Sequence, residues 1–295
     1  MKKEISERRY IGMDGIFYAL LPAITWGSLV LVSEKLGGNA HAQTLGITVG
    51  AFLFSVVMFF VKQPEMDGLI WVIGIISGMG WALGQLNQFN SVKHLGVSKT
   101  VPISTGLQLL GTTFFGVVIF KEWSTQTTII LGIVALLLII SGVVLTGMGG
   151  KSEEKKGNMK KGITFLAIST AGYVLYVVII RWFDINGWAA ILPQAIGMVA
   201  ASLILSMKHK PFNKYTVRNI LAGIMWAVGN IGLLLANPKV GVAVGFSLSQ
   251  MGIVISTLGG IFLLGEKKSK KQLVFVISGC VLIIAGGVVL GITKK

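Results

Sequence analysis

Trp81-Ala-Leu-Gly84 returns 145 positions later as Trp226-Ala-Val-Gly229. A nearly constant displacement runs through the chain. Glu122 returns as Glu266, and Gly142, Val144 and Gly147 return as Gly286, Val288 and Gly291, each 144 later. Gly15 and Gly50 return as Gly162 and Gly197, 147 later. Five uncharged, mostly apolar runs fill each half: Ile16–Ser33, Ala42–Val61, Gly68–Val92, Thr100–Phe120 and Ser124–Gly150, then Gly162–Ile180, Ile185–Met207, Asn219–Pro238, Val240–Gly265 and Gln272–Thr293. Each reaches about 18 residues or more, enough for a helix to cross a hydrocarbon core. The sequence therefore predicts an all-α integral membrane protein with ten transmembrane helices. Because five is odd, its two repeats are inverted, as in many secondary transporters.

Composition supports this reading. Of 295 residues, 53% are hydrophobic and 13% charged, against about 25% charged in soluble domains. The net charge of +15 sits in loops and tails, such as Lys151/Lys155/Lys156/Lys160/Lys161 and Lys267/Lys268/Lys270/Lys271. Such clusters set orientation and meet anionic lipid, and no nucleic-acid motif accompanies them. Most Lys and Arg fall on the side opposite the termini, while the basic N-terminal tail pulls the other way, so the sequence leaves orientation open. The single cysteine, Cys280, permits neither an intramolecular disulfide nor a metal cluster. No metal or cofactor is expected. The chain divides into a basic tail (1–14), a first five-helix repeat (15–148), a charged linker (149–161) and a second repeat (162–293).

Polar side chains within a bilayer are costly unless they face a cavity or a partner. Trp81, Gln85 and Gln88 share one helix face at i, i+4, i+7. Trp226 and Asn230 stand at the positions equivalent to Trp81 and Gln85. Two planar aromatics and two amides suit an uncharged polyol: amides both donate and accept, and indoles offer a flat apolar face. Trp26, Gln108, Gln194 and Gln250 complete the candidate substrate-binding set. No Asp, Glu, Lys, Arg or His lies well inside a span. That argues against cationic drugs and amino acids and for a neutral substrate. Glu122 and Glu266, at the ends of the fourth and ninth spans, are the candidates for proton coupling; solvated helix ends are the plainer reading. A membrane enzyme would need a buried catalytic constellation, which the spans lack.

Six runs stand out: Leu20-Leu-Pro-Ala-Ile-Thr-Trp-Gly-Ser28, Trp81-Ala-Leu-Gly-Gln-Leu-Asn-Gln88, Gly96-Val-Ser-Lys-Thr-Val-Pro-Ile-Ser-Thr-Gly106, Phe120-Lys-Glu-Trp-Ser124, Pro238-Lys-Val-Gly-Val242 and the long run from Phe246 to Ile261. Together they resemble the bacterial glucose/ribose porter family of the drug/metabolite transporter superfamily, in particular the glucose uptake proteins of Gram-positive bacteria. The resemblance spans Gly15 to Thr293. It implies a five-plus-five inverted-repeat fold in the plasma membrane and import of a sugar, glucose foremost, with a proton. The alternative is a transporter, uniporter or exporter, of ribose or another neutral solute on the same fold.

Overall fold

A computed structural model describes residues 2–121, 123–148, 158–240, 248–249 and 251–293. The described residues form helices α1 (Lys2–Leu36), α2 (Ala40–Lys62), α3 (Gly68–Leu95), α4 (Val97–Val118), α5 (Gln126–Met148), α6 (Met159–Trp182), α7 (Gly187–Ser206), α8 (Lys214–Val240), α9 (Gly252–Phe262) and α10 (Lys270–Thr293), with a 3-10 turn at Met207–His209. Nine are long and apolar enough to cross a membrane; α9 is an apolar helix of 11 residues. The ninth run read from the sequence, Val240–Gly265, extends into residues outside those described. No strand occurs among the described residues.

The solvent of this fold is lipid. Phe60, Ile204 and Leu137 are 60–69% exposed, while Gln43, Thr48, Ser77 and Gln85 are buried at 0–2%. Polar atoms inside such a fold need partners, and they find them between helices. Thr48 and Ser202 hydroxyls join α2 to α7 at 2.8 Å, and Ser169 on α6 donates to the carbonyl of Gly84 on α3 at 2.7 Å. Helix starts carry their own caps, since the first N–H groups have no partner in the helix. Asp67 accepts from Ile70 N at 2.7 Å, Asn39 from Ala42 N at 2.9 Å and Asn158 from Lys161 N at 3.0 Å.

Helix neighbours obey the exchange of α1–α5 with α6–α10. α3 packs on α6 as α8 does on α1, α3 on α7 as α8 on α2, and α4 on α6 as α9 on α1; α4 meets α9, and α5 meets α10. The contact residues follow the same displacement. A β-carbon at Gly78 would fall on the carbonyl oxygen of Gln194, and one at Gly223 on that of Ile47. Gly197 meets the Ile75 carbonyl as Gly50 meets that of Ile220. At the third seam, a β-carbon at Gly142 would lie 2.6 Å from Gly279 O, and one at Gly286 lies 2.8 Å from Ala135 O. Small residues allow this approach where lipid gives helices no hydrophobic drive to associate.

A valine at Gly78 must force α3 and α7 apart. Gly78→Val is expected to destabilise the detergent-solubilised protein by roughly 1–3 kcal/mol or more, read as a lower thermal midpoint. Gly68→Ala, with nothing within 4 Å of the added carbon, should leave the midpoint unchanged. An unaltered midpoint for Gly78→Val would refute the close seam.

Candidate functional site

Helices α1, α3, α4, α6, α8 and α9 enclose a central cavity of about 380 Å³, within the roughly 300–1,000 Å³ typical of small-molecule sites. Trp81 and Trp226 meet there edge to face, ring centroids 5.0 Å apart at 61°. They pack on each other rather than standing as two parallel platforms. Trp26 is oriented by its indole N–H, which donates to the Trp226 carbonyl at 3.1 Å. Gln85 and Gln88 follow Trp81 along α3, Gln108 joins them from α4, and Asn230 and Tyr176 also line the space. Seven of the nine residues singled out from sequence thus line one space: Trp26, Trp81, Gln85, Gln88, Gln108, Trp226 and Asn230.

Gln194 does not. Its Nε2 donates to Ser77 Oγ at 2.9 Å, and Ser77 Oγ donates to the Tyr176 carbonyl at 2.7 Å. That amide is spent on the seam where α7 packs against α3, and it is not among the cavity's lining residues. Gln250 lies outside the described residues. Thr25, also polar within a span, bonds back to Leu21 O at 2.9 Å, the ordinary use of a hydroxyl in a helix.

Two aromatic residues went unread in the sequence. Tyr173 and Tyr176 of α6 both line the cavity. The Tyr173 hydroxyl donates to Gln85 Oε1 at 2.8 Å, and its ring lies 6.2 Å from Trp81 at 72°. The available signal was positional: Tyr173 stands 147 residues after Trp26, the displacement that relates Gly50 to Gly197.

The duplication is broken inside the cavity. Trp81 with Trp226, Gln85 with Asn230 and Ser104 with Ser249 keep matched types. Gln88 and Gln108, however, correspond to Leu233 and Ile253, which also line the space. α3 and α4 therefore supply three amides, whereas α8 and α9 supply one, Asn230, beside Leu233 and Ile253. No Asp, Glu, Lys, Arg or His occurs among the described lining residues. Such a cavity accommodates a neutral molecule with a hydroxylated edge and an apolar face.

At one end of the helices the packing is dense, with Val97–Ser104 buried throughout. Gly96 turns α3 directly into α4 at φ +76°, a conformation that favours glycine. A β-carbon there would also lie 2.9 Å from the Glu266 carboxyl group. Glu266, between α9 and α10, accepts from the backbone N–H groups of Val97 and Ser98 and from the Ser98 hydroxyl. Lys268 stands 3.7 Å away, and the side chains of Glu266 and Lys268 are only 9% and 4% exposed. Glu266 is thus no solvated helix end: its carboxylate caps the start of α4, where unpaired N–H groups and the helix dipole favour negative charge. Glu122 lies outside the described residues.

A family model described as "Sugar transport protein" matches residues 17–293. The chain is 58% identical to a Priestia megaterium protein named "Probable glucose uptake protein GlcU", over 95% of this chain and 99% of that one. It is 55% identical to the Bacillus subtilis "Glucose uptake protein GlcU", over 95% and 98%. A solved crystal structure shares the fold with a TM-score of 0.61 at 15% identity, covering 94% of this chain and 97% of the other. With nine helices among the described residues long and apolar enough to cross a membrane and this relationship, it is a multi-pass protein of the plasma membrane. The chain belongs to the sugar transport protein family.

Proposed function

We propose that the protein imports glucose by proton symport, its two inverted repeats exposing the central cavity to each side of the membrane in turn. The observation that carries the proposal is the cavity lining, in which amides and hydroxyls stand beside indoles and no charged group occurs among the described residues. Hydroxyls of a sugar can pair with the amides, and the C–H face of its ring can lie on the aromatic wall. The names of the relatives favour glucose. The Glu266 cap on α4 holds one end of the cavity shut, and alternating access requires that it part in another state.

The direct test is uptake of radiolabelled glucose into proteoliposomes, with and without an imposed pH gradient and with unlabelled ribose as competitor. Gradient-driven accumulation that glucose blocks and ribose does not is expected. Competition by ribose alone would move the function to another neutral solute, and accumulation indifferent to the gradient would remove the symport.

Gln85→Ala and Asn230→Ala should each lower uptake about tenfold or more, since a buried hydrogen bond lost on one side costs about 1–3 kcal/mol, while protein levels in the membrane are kept. Full uptake in both would eliminate the proposed site.

For coupling, Glu122→Gln and Glu266→Gln are compared for gradient response, with loss expected in at least one. A full response in both would take the pair out of the mechanism.

Closure is read separately, in a Cys280→Ser chain carrying Thr100→Cys, a buried position beside the cap. A water-soluble maleimide should label it slowly, and several-fold faster once Glu266→Ala is added. Equal rates would contradict a closing role for Glu266.

A further inference from the structure

The amide wall carries a hydrogen-bond chain with a single direction. The Tyr173 hydroxyl donates to Gln85 Oε1 at 2.8 Å and lies 3.2 Å from Gln88 Oε1. Gln85 Nε2 donates to Gln88 Oε1 at 3.4 Å. Gln88 Nε2 and Gln108 Nε2 both donate to Ser104 Oγ, each at 3.0 Å. A phenol has one hydrogen to give, and an amide oxygen can only accept. That hydrogen needs an acceptor, and the Tyr173 hydroxyl therefore holds Gln85 Oε1 toward it, which turns Gln85 Nε2 to Gln88 Oε1 and Gln88 Nε2 to Ser104. At the far end Ser104 accepts from Gln88 and Gln108 and, as a hydroxyl, keeps a hydrogen of its own to give, so it ends the chain without fixing the sense of Gln108. What remains for an occupant is the second N–H of Gln85 and of Gln88, beside either end of Gln108.

The symmetry-related set on α1, α8 and α9 cannot impose such an order. Trp26 stands in place of Tyr173, and its N–H is engaged by the Trp226 carbonyl; Leu233 and Ile253 stand in place of Gln88 and Gln108. The polarity of the cavity thus originates at one buried hydroxyl, in a ring only 8% exposed.

We propose that Tyr173 is a specificity-determining residue, a positioning group that fixes the donor and acceptor sense of Gln85 and Gln88 and so lets the site tell one hydroxyl configuration of a sugar from another. The proposal rests on the sugar-transport reading above. Without the phenol, both glutamines are free to turn, and a hydroxyl of either configuration can be matched. A site built to hydrogen-bond a hydroxyl rejects a mismatched partner because buried groups are left unpaired; a site free to rearrange loses that penalty.

The test compares wild type, Tyr173→Phe and Ser104→Ala in proteoliposome uptake, with glucose and its 2- and 4-epimers as competing substrates. Tyr173→Phe keeps the ring packed on Trp81 and removes only the hydroxyl. Its preference for glucose over the epimers should fall about tenfold, through half-saturation, with maximal rate kept within about twofold. Ser104→Ala, cutting the chain at its other end, should also relax the preference. A merely structural loss would lower rate for all sugars alike and leave the ratios untouched, and that result overturns the proposal. If one variant fails to reach the membrane, the other decides. Wild type that transports glucose without preferring it to its epimers overturns the role of Tyr173 alone; wild type that takes up no sugar overturns the functional reading and this proposal with it.

Discussion

Contact between helix backbones at glycine is the constraint on which the rest of this molecule depends. In lipid, apolar side chains gain little by leaving their solvent, so helices associate through close packing and polar joints. Gly78 against Gln194 and Gly223 against Ile47 bring backbone to backbone across equivalent seams. These seams set α3 and α8 facing each other, and that in turn brings Trp81 and Trp226 to 5.0 Å. A larger residue at either seam would separate the halves at the level of the cavity, so packing and site are one problem in this fold.

The second constraint is polar satisfaction. Most amides and hydroxyls inside the helices are used locally or between helices, as in Ser77 with Gln194 and Thr48 with Ser202. Four of the amides, Gln85, Gln88, Gln108 and Asn230, line the cavity. The duplicated unit supplies the scaffold twice but the amides mainly once. A symmetric scaffold with an asymmetric lining suits a substrate that itself has a hydroxylated edge and an apolar face.

Much of this was legible in the sequence, for local reasons. Helix period put Trp81, Gln85 and Gln88 on one face, and the repeat pointed to Trp226 and Asn230. What failed to show depends on partners distant along the chain. Gln194 reads like Gln85, an amide within an apolar run; only the register of α7 on α3 shows that Ser77 consumes it. Glu266 reads as a solvated loop residue because its partners, Val97 and Ser98, lie 169 and 168 positions away. Tyr173 goes unread until its displacement from Trp26 is noticed.

The central claim is that a sugar sits between the paired tryptophans and the amide wall. An experimental structure of the protein with glucose bound tests it most directly. The account predicts the pyranose ring against Trp81 or Trp226, with its hydroxyls hydrogen-bonded to Gln85 and Asn230. Glucose bound elsewhere, with that cavity lacking sugar, would contradict it.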